Sequence, residues 1–212
     1  AIAWTSNKQD EFKWGVVARV YEGGNDAPSN TVPGQQSLDE DTFIILSQAN
    51  GNAISIADDD VFAGTMRVTL TASNGALTLG DITGLTFLVG DGYADASMVF
   101  TGSLDDINVA LNGLTFTPTP DYAGTTSLQI TVDDLGNLGW YGNQTDTDTI
   151  SIIVNPVQDA PVLDSTGDMA LATIDEDDTD PSGDTVAAII LSAGGDRITD
   201  VDAGALEGIA VT

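Results

Sequence analysis

Carboxylates dominate the side chains of this sequence that could do chemistry. It carries 33 aspartates and glutamates against 5 lysines and arginines, and it has no histidine and no cysteine. The chain therefore cannot build a Ser-His or Cys-His nucleophile pair, a zinc site with nitrogen or sulfur ligands, or a disulfide framework. Most of its carboxylates have no basic partner available. Carboxylate oxygens are ligands that calcium prefers, so cation binding is the chemistry that the composition favours.

The charge balance also excludes several classes of partner. The formal net charge is -28, and phosphate binding requires lysine and arginine to displace condensed counterions. We therefore expect no nucleic-acid partner and no association with anionic membrane surfaces. No apolar run approaches the length of about 18–20 residues that a membrane span needs, so we expect no membrane insertion. Residues 1–20 lack the layout of a signal peptide, and any export signal is expected outside this sequence.

The acidic residues recur in an order that indicates tandem modules. Asn25-Asp26-Ala27-Pro28 returns as Gln158-Asp159-Ala160-Pro161, and each copy follows a β-branched strand pattern. A second similarity relates residues 56–60 (Ile-Ala-Asp-Asp-Asp) to residues 198–202 (Ile-Thr-Asp-Val-Asp). The sequence thus predicts three parts: the C-terminal strand or strands of one module over 1–25, a complete module over 26–158 and the N-terminal part of a following module over 159–212.

Hydrophobic alternation predicts that these modules are β-sandwiches. Met66, Val68 and Leu70 alternate with polar residues, which is the period of a half-buried strand. The Asn74-Gly75 pair then predicts a two-residue hairpin turn into the next strand. Similar runs occupy residues 12–20, 43–46, 53–56, 77–79, 85–89, 98–101, 114–117, 127–132 and 149–154. Such a series of short strands separated by Gly, Asp, Asn and Pro is typical of an all-β sandwich with an Ig-like arrangement.

One short helix is predicted within the complete module. Ser103 can cap the segment 104–111, with Asp106 placed to receive the cap, and Asn112-Gly113 closes the segment. The predicted fold class is therefore all-β, with tandem sandwich modules and one short helix.

The acidic residues fall where a sandwich gathers its loops at one pole. They are Asp26 and Asp159 in the linkers, Glu40 and Glu176 near the starts of modules, and the Asp-x-Asp pairs Asp58 with Asp60 and Asp200 with Asp202. Calcium takes about 6–8 oxygen ligands, which loops of two neighbouring modules can supply together. The sequence therefore predicts calcium between the pole of one module and the base of the next.

Several of these motifs resemble those of a known family. Residues 200–204, Asp-Val-Asp-Ala-Gly, resemble the Asp-x-Asp-x-Gly element of cadherins, and the Asp-Ala-Pro linkers resemble the motif between cadherin domains. More closely, residues 116–124 (Phe-Thr-Pro-Thr-Pro-Asp-Tyr-Ala-Gly) and 128–136 (Leu-Gln-Ile-Thr-Val-Asp-Asp-Leu-Gly) are similar to the cadherin-like tandem repeats of giant bacterial RTX-type adhesins. The resemblance covers residues 26–158, the following linker and the first part of the next module.

That resemblance implies a structural extender module of a large secreted or cell-surface bacterial adhesin, stiffened by calcium at its junctions. Its partners would be the neighbouring modules of the same chain, with cell-surface or glycan ligands bound through other domains. Carried over by position, the ligands would be Asp159 in the linker, Asp200 and Asp202 of the Asp-x-Asp element, Glu40 early in the module and Asp121 of a Leu-Asp-x-Glu element. Ala123 stands where that last element has glutamate, and the first Asp-x-Asp spacing is stretched, so about one ion per junction is expected.

Other interpretations of the same residues stay open. Acidic runs are often only solvated loops, and strong acidity also keeps a protein soluble in a salty habitat. A carbohydrate-binding or cell-contact β-sandwich is the alternative function, with Trp4, Trp14 and Trp140 as aromatic platforms for sugars. A hydrolase with two acids about 5–9.5 Å apart is formally possible, but nothing singles out such a pair, and we expect no enzyme.

Overall fold

The computed structural model describes residues 25–61, 64–136, 142–164, 166–168, 170–177, 179–180, 183–195 and 197–205. The strand predicted over residues 12–20 and the three tryptophans lie outside these ranges. In chain order the strands are β1 (Ser29–Thr31), β2 (Gln36–Asp39), β3 (Ile44–Leu46), β4 (Ser55–Ala57), β5 (Met66–Ala72), β6 (Gly75–Thr78), β7 (Thr86–Val89), β8 (Ser97–Gly102), β9 (Leu114–Pro118), β10 (Gly124–Asp133), β11 (Thr145–Asn155), β12 (Val162–Leu163) and β13 (Ile198–Thr199). The helices are α1 (Leu104–Leu111) and α2 (Val186–Ser192).

Strands β1–β11 and α1 form a sandwich. Its larger sheet has six strands in the order β2-β11-β10-β5-β8-β7, and its smaller sheet has three in the order β3-β9-β6. Alternate residues of β5, among them Val68 and Leu70, are completely buried, as the sequence pattern predicts. They share one hydrophobic core with Leu77 and Phe116 of the smaller sheet. The prediction of an all-β sandwich is confirmed.

The predicted hairpin at Asn74-Gly75 is wrong. β5 pairs with β8 and β10 in the larger sheet, whereas β6 pairs with β9 in the smaller one. Asn74 has a φ of 46°, but Gly75 does not share the positive φ that a type I′ turn requires at both positions. Gly75 serves close packing instead, because a Cβ there would lie 2.5 Å from the Phe116 ring. The chain crosses between the two sheets at this point.

An early strand and the last strand of the sandwich run side by side in the same direction. β2 pairs in parallel with the C-terminal end of β11, from Gln36 opposite Ile152 to Asp39 opposite Asn155. The backbone N–H of Glu40 continues this pairing by donating to the Asn155 carbonyl at 2.9 Å. Both strands therefore end at the same pole, where the chain leaves the sandwich.

The helix predicted over 104–111 is present as α1, and a second helix, α2, lies outside the complete module, where no helix was predicted. In α1 the Ser103 hydroxyl accepts a hydrogen bond from the backbone N–H of Asp106, which is the predicted cap. In α2 the Thr185 hydroxyl caps the backbone N–H of Ala188 in the same way. The β-branched residues of that segment favour a strand, but the Thr185 cap and the two alanines of the segment favour the helix that is found. Among the described residues, no helix is long and apolar enough to cross a membrane.

The described residues from 159 to 205, which we call the C-terminal segment, repeat the opening of the sandwich. β12 pairs antiparallel with β13, with Val162 opposite Thr199. β1 pairs antiparallel with β4, with Ser29 opposite Ala57. Ser29 and Val162 hold the same position after their Asp-Ala-Pro motifs, so the internal repeat of the sequence is also a repeat of strand register.

Candidate functional site

Glu40 brings a buried carboxylate to the pole where the sandwich meets the linker. It follows β2 directly and is 5% exposed. Its Oε1 accepts a hydrogen bond of 2.7 Å from the backbone N–H of Val157. The parallel pairing of β2 with β11 thus holds this glutamate against the first residues of the linker.

Asp159 and Asp202 are joined across the junction between the sandwich and the C-terminal segment. Oδ2 of Asp202 accepts hydrogen bonds from the backbone N–H of Asp159 at 2.8 Å and from Nε2 of Gln158. Asp200 orients this loop, because its Oδ1 accepts the backbone N–H of Asp202 at 2.9 Å. The Asp-x-Asp spacing therefore presents the second aspartate to the linker and uses the first as a brace.

Carboxylates from both sides of the junction meet in two overlapping groups. Glu40, Asp159 and Asp202 each offer one oxygen, and these oxygens lie within 4.8 Å of one another. Asp41, Asp121 and Asp159 form a second group by the same measure. Asp159, which belongs to both, is the centre of the cluster that we call the junction cluster.

A cavity of about 180 Å³ opens within the junction cluster. It is lined by Glu40, Asp121, Ala123, Pro156, Asp159, Val201, Asp202 and Ala203. Ala123 thus faces this space at the position where the related element has a glutamate. Asp41 supplies a carboxylate beside Asp121 instead, and its Oδ1 accepts the backbone N–H of Asp121 at 3.4 Å.

The surroundings of Asp159 disfavour its negative charge. Burial raises the pKa of this carboxyl most, followed by the charges of Asp41, Asp202, Asp121 and Glu40. Its Oδ2 is buried and has no hydrogen-bond partner among the described residues. A buried carboxylate oxygen without a partner costs free energy unless a proton or a cation compensates it. The donor set is entirely oxygen, and it therefore fits calcium.

No basic side chain among the described residues neutralises the junction cluster. Arg67 forms an ion pair with Asp133, and Arg197 forms one with Asp164 at 2.6 Å. The other basic residues, Lys8, Lys13 and Arg19, lie outside the described ranges. In this part of the chain the carboxylates of the cluster face one another without a counter-charge.

The opposite pole of the sandwich repeats part of this arrangement. Oδ2 of Asp60 accepts the backbone N–H of Asp26 at 2.9 Å, and Oδ1 of Asp58 accepts that of Asp60 at 3.0 Å. Burial, with Asp60 nearby, raises the pKa of Asp58, whose buried Oδ2 has no hydrogen-bond partner in the part of the chain that the structure describes. Within the described ranges, these three residues do not form a group of three converging carboxylate oxygens.

One predicted ligand lies away from the junction cluster, and one residue of the cluster was not predicted. Glu176 lies in an exposed turn of the C-terminal segment and belongs to neither group of the junction cluster. Its role as a ligand stays a prediction. Asp41 belongs to the cluster although no motif singled it out. The only indication in the sequence is the acidic run 39–41, in which the predicted ligand was the middle residue.

A second buried pair of carboxylates has a structural explanation. Oδ1 of Asp134 accepts the backbone N–H groups of Gly136 at 2.8 Å and Gln144 at 2.9 Å. Its Oδ2 accepts a hydrogen bond from Nδ2 of Asn25. These bonds fasten the connection between β10 and β11 to Asn25 at the start of the sandwich, whereas the ion pair of Asp133 with Arg67 joins β10 to β5.

The comparisons with known proteins do not place this chain in a family. No family model and no curated protein matches it. Among solved structures it is similar to a cohesin module from a family 33 glycoside hydrolase of Clostridium perfringens, with 9% sequence identity and a TM-score of 0.39. The match covers 62% of this chain and 98% of that module. A likeness this distant identifies neither a ligand nor a partner.

Proposed function

We propose that this chain is a non-catalytic structural extender of a large secreted or cell-surface bacterial adhesin, and that calcium at the junction cluster makes it rigid. The observation that carries the proposal is the meeting of Glu40, Asp41 and Asp121 from the sandwich with Asp159 and Asp202 beyond it. The resemblance of residues 116–136 to adhesin repeats supports the location at the cell surface.

Electrostatics explains why a cation would stiffen this junction. Without a cation, like charges on the two sides repel each other, and the linker opens. A calcium ion shared by carboxylates of both sides replaces that repulsion with attraction and holds the linker in one geometry. The orientation of the C-terminal segment relative to the sandwich would then depend on calcium.

The spacing of the oxygens allows each group to share one ion of the size of calcium. Oxygen ligands about 2.4 Å from one ion lie at most about 4.8 Å apart, and the oxygens of each group meet that limit. Because Asp159 belongs to both groups, the cluster suits one ion, or two neighbouring ions with Asp159 as the bridge. Carbonyl groups and waters would complete the usual set of about 6–8 oxygen ligands.

A calcium titration of the melting temperature of the full chain tests the proposal. Wild type is compared with Asp159→Asn and Asp202→Asn, and with the control Asp105→Asn, which changes an exposed carboxylate in the first turn of α1. A ligand that binds only the native state stabilises it by about 2.7 kcal/mol at a concentration of about 100 times its Kd. Sodium chloride at equal ionic strength separates ligation from screening.

We expect calcium to raise the melting temperature of wild type and of Asp105→Asn, and to have little effect on the two junction variants. An equal rise in all four proteins would show that calcium acts elsewhere or only as a screening ion. A rise in sodium chloride as large as that in calcium would also contradict the proposal.

A further inference from the structure

A surface groove with a volume of about 470 Å³ lies on the flank of the sandwich and shares no lining residue with the junction cavity. We call it the Tyr93 groove. It is lined by Gly75, Ala76, Thr78, Tyr93, Ala94, Thr117, Pro118, Thr119 and Pro120. Its volume falls within the range of about 300–1,000 Å³ that is typical of small-molecule sites.

The lining of the Tyr93 groove is uncharged, although the chain carries 33 acidic residues. Anionic ligands are repelled by the field of a protein with a net charge of -28. Cationic ligands gain more at the clustered carboxylates elsewhere on the surface, such as those of the junction cluster. The groove itself offers threonine hydroxyls, one phenol and apolar proline and alanine surface, which suits a neutral ligand with hydroxyl groups.

Tyr93 stands out from the surface on a loop whose backbone N–H groups are held by aspartate side chains. Oδ1 of Asp91 accepts the backbone N–H of Tyr93 at 3.0 Å, and Oδ2 of Asp95 accepts those of Asp91 and Gly92 at 2.9 Å each. Ala94 has a φ of 53°, a conformation that is uncommon for a residue with a side chain. The Tyr93 side chain nevertheless remains 75% exposed. An aromatic ring on a fixed backbone loses little entropy when it binds a ligand.

The strand beneath this loop has no open edge for a peptide. The backbone N–H and carbonyl of Leu77 bond to the backbone of Asp95 at 2.8 and 3.0 Å, and the N–H of Leu79 donates to the Gly92 carbonyl at 3.0 Å. An extended peptide therefore cannot add to β6 along this stretch as an extra strand. Recognition is left to the side chains that line the groove.

From these observations we propose that the Tyr93 groove binds an uncharged saccharide. The apolar C–H face of a sugar ring packs against the tyrosine ring, which removes apolar surface from water. Thr117 and Thr119, both exposed, exchange hydrogen bonds with the sugar hydroxyls. Pro118 and Pro120 form a wall without backbone N–H groups. This binding does not depend on calcium at the junction cluster, because no side chain is shared.

Amide spectra of the isotope-labelled full chain, recorded by NMR with calcium and with a chelator, test the proposal. The probes are cellotriose, maltotriose, N,N′,N″-triacetylchitotriose and xylotriose, with sialyllactose as the anionic comparison. We expect at least one neutral probe to give saturable shifts at Thr78, Ala94 and Thr119 in the millimolar range, with or without calcium. Sialyllactose should bind more weakly.

Variants separate the groove from the rest of the surface. Tyr93→Ala should weaken binding about tenfold, because it removes the ring contact. Thr119→Val should also weaken it by removing one hydroxyl. The control Leu88→Ala changes an exposed apolar residue, 59% exposed, on β7 and should leave binding unchanged. The same spectra report whether each variant is folded.

Three outcomes overturn the proposal: no localised shifts with any neutral probe, shifts that Tyr93→Ala leaves unchanged, or binding of sialyllactose as tight as that of the neutral probes. Because the titrations include a chelator, a failure of the calcium proposal leaves this test intact.

Discussion

The carboxylate of Asp202 accepts the backbone N–H of Asp159 at 2.8 Å across the junction. The same bond, at 2.9 Å, joins Asp60 to the backbone N–H of Asp26 at the other end of the sandwich. In both places the linker is tied to the loop of the unit that follows it. The C-terminal segment is thereby held on one side of Asp159, and the carboxylates of the sandwich approach from the other side.

The first prediction concerns the shape of the particle. If calcium closes the junction cluster, small-angle X-ray scattering of wild type should give a narrower distribution of particle lengths with calcium than with a chelator. Asp121→Asn removes a carboxylate of the second group and should reduce this difference, whereas Asp105→Asn should not. An identical scattering profile for wild type in the two conditions would contradict calcium-dependent stiffening.

The second prediction concerns pH in the absence of metal. The pKa of Asp159 is raised in the native state, so the native state takes up this proton more readily than the unfolded chain does. Its contribution to stability is therefore present at low pH and is lost as the pH rises through the raised value. In metal-free buffer, the melting temperature of wild type relative to Asp159→Asn should rise as the pH falls from about 7 toward about 4.

Calcium should reverse this dependence, because protons compete with the ion for the same carboxylates. The stabilisation by calcium should then decrease over the same pH interval. Asp164 contributes in the opposite sense, since hydrogen bonds from Thr166 and from Arg197 lower its pKa to about 2. The contribution of Asp164 to stability is lost only as the pH falls below the ordinary pKa of this group, 3.8. If the melting temperatures of wild type and Asp159→Asn change in parallel with pH in metal-free buffer, the raised pKa of Asp159 is refuted.

The third prediction concerns the attachment of α1 to β4. Oδ1 of Asn108 accepts the backbone N–H of Ile56 at 2.8 Å, and Nδ2 donates to the Ile56 carbonyl at 2.9 Å. Asn108→Ala leaves both backbone groups without these partners and should lower the free energy of unfolding by about 1–3 kcal/mol in urea denaturation. Val109→Ala, at a side chain 56% exposed, should change it by about 0.5 kcal/mol or less. Equal losses would show that the side-chain bonds contribute nothing specific.

The fourth prediction compares two phenylalanines. Phe116 is completely buried between the sheets, whereas Phe43 is 61% exposed. Phe116→Ala should lower the free energy of unfolding by about 3–5 kcal/mol, and Phe43→Ala should lower it far less. Urea denaturation measures both. A small loss for Phe116→Ala would mean that the two sheets do not share a single packed core.

Much of the secondary structure could be predicted from the sequence because strand alternation and helix caps are set by neighbouring residues. The alternation of β5 and the cap of α1 depend only on neighbouring residues, and both are found as predicted. The pairing of strands that are distant in the sequence is not determined by neighbouring residues in this way. Asn74-Gly75 therefore suggested a hairpin where the chain changes sheets, and the short strand β2 had no distinguishing pattern.

The same limit applies to the junction cluster. Glu40, Asp159 and Asp202 could be predicted because they lie in motifs that recur along the chain, whereas Asp121 was implied only by the resemblance to cadherin-like repeats. Asp41 joins them only through the position of the turn after β2, which depends on the pairing of β2 with a strand more than a hundred residues away. The Tyr93 groove depends in the same way on the bonds between a loop and the edge of β6.

The parallel pairing of β2 with β11 also determines how this chain responds to tension. Both strands run toward the same pole, so a pull on the two ends of the sandwich slides one strand along the other. The backbone bonds between Gln36–Asp39 and the end of β11 then carry the load together. In an unzipping geometry they would break one after another at a much lower force. This pairing therefore opposes a stretching force by shear, with its backbone bonds loaded in parallel.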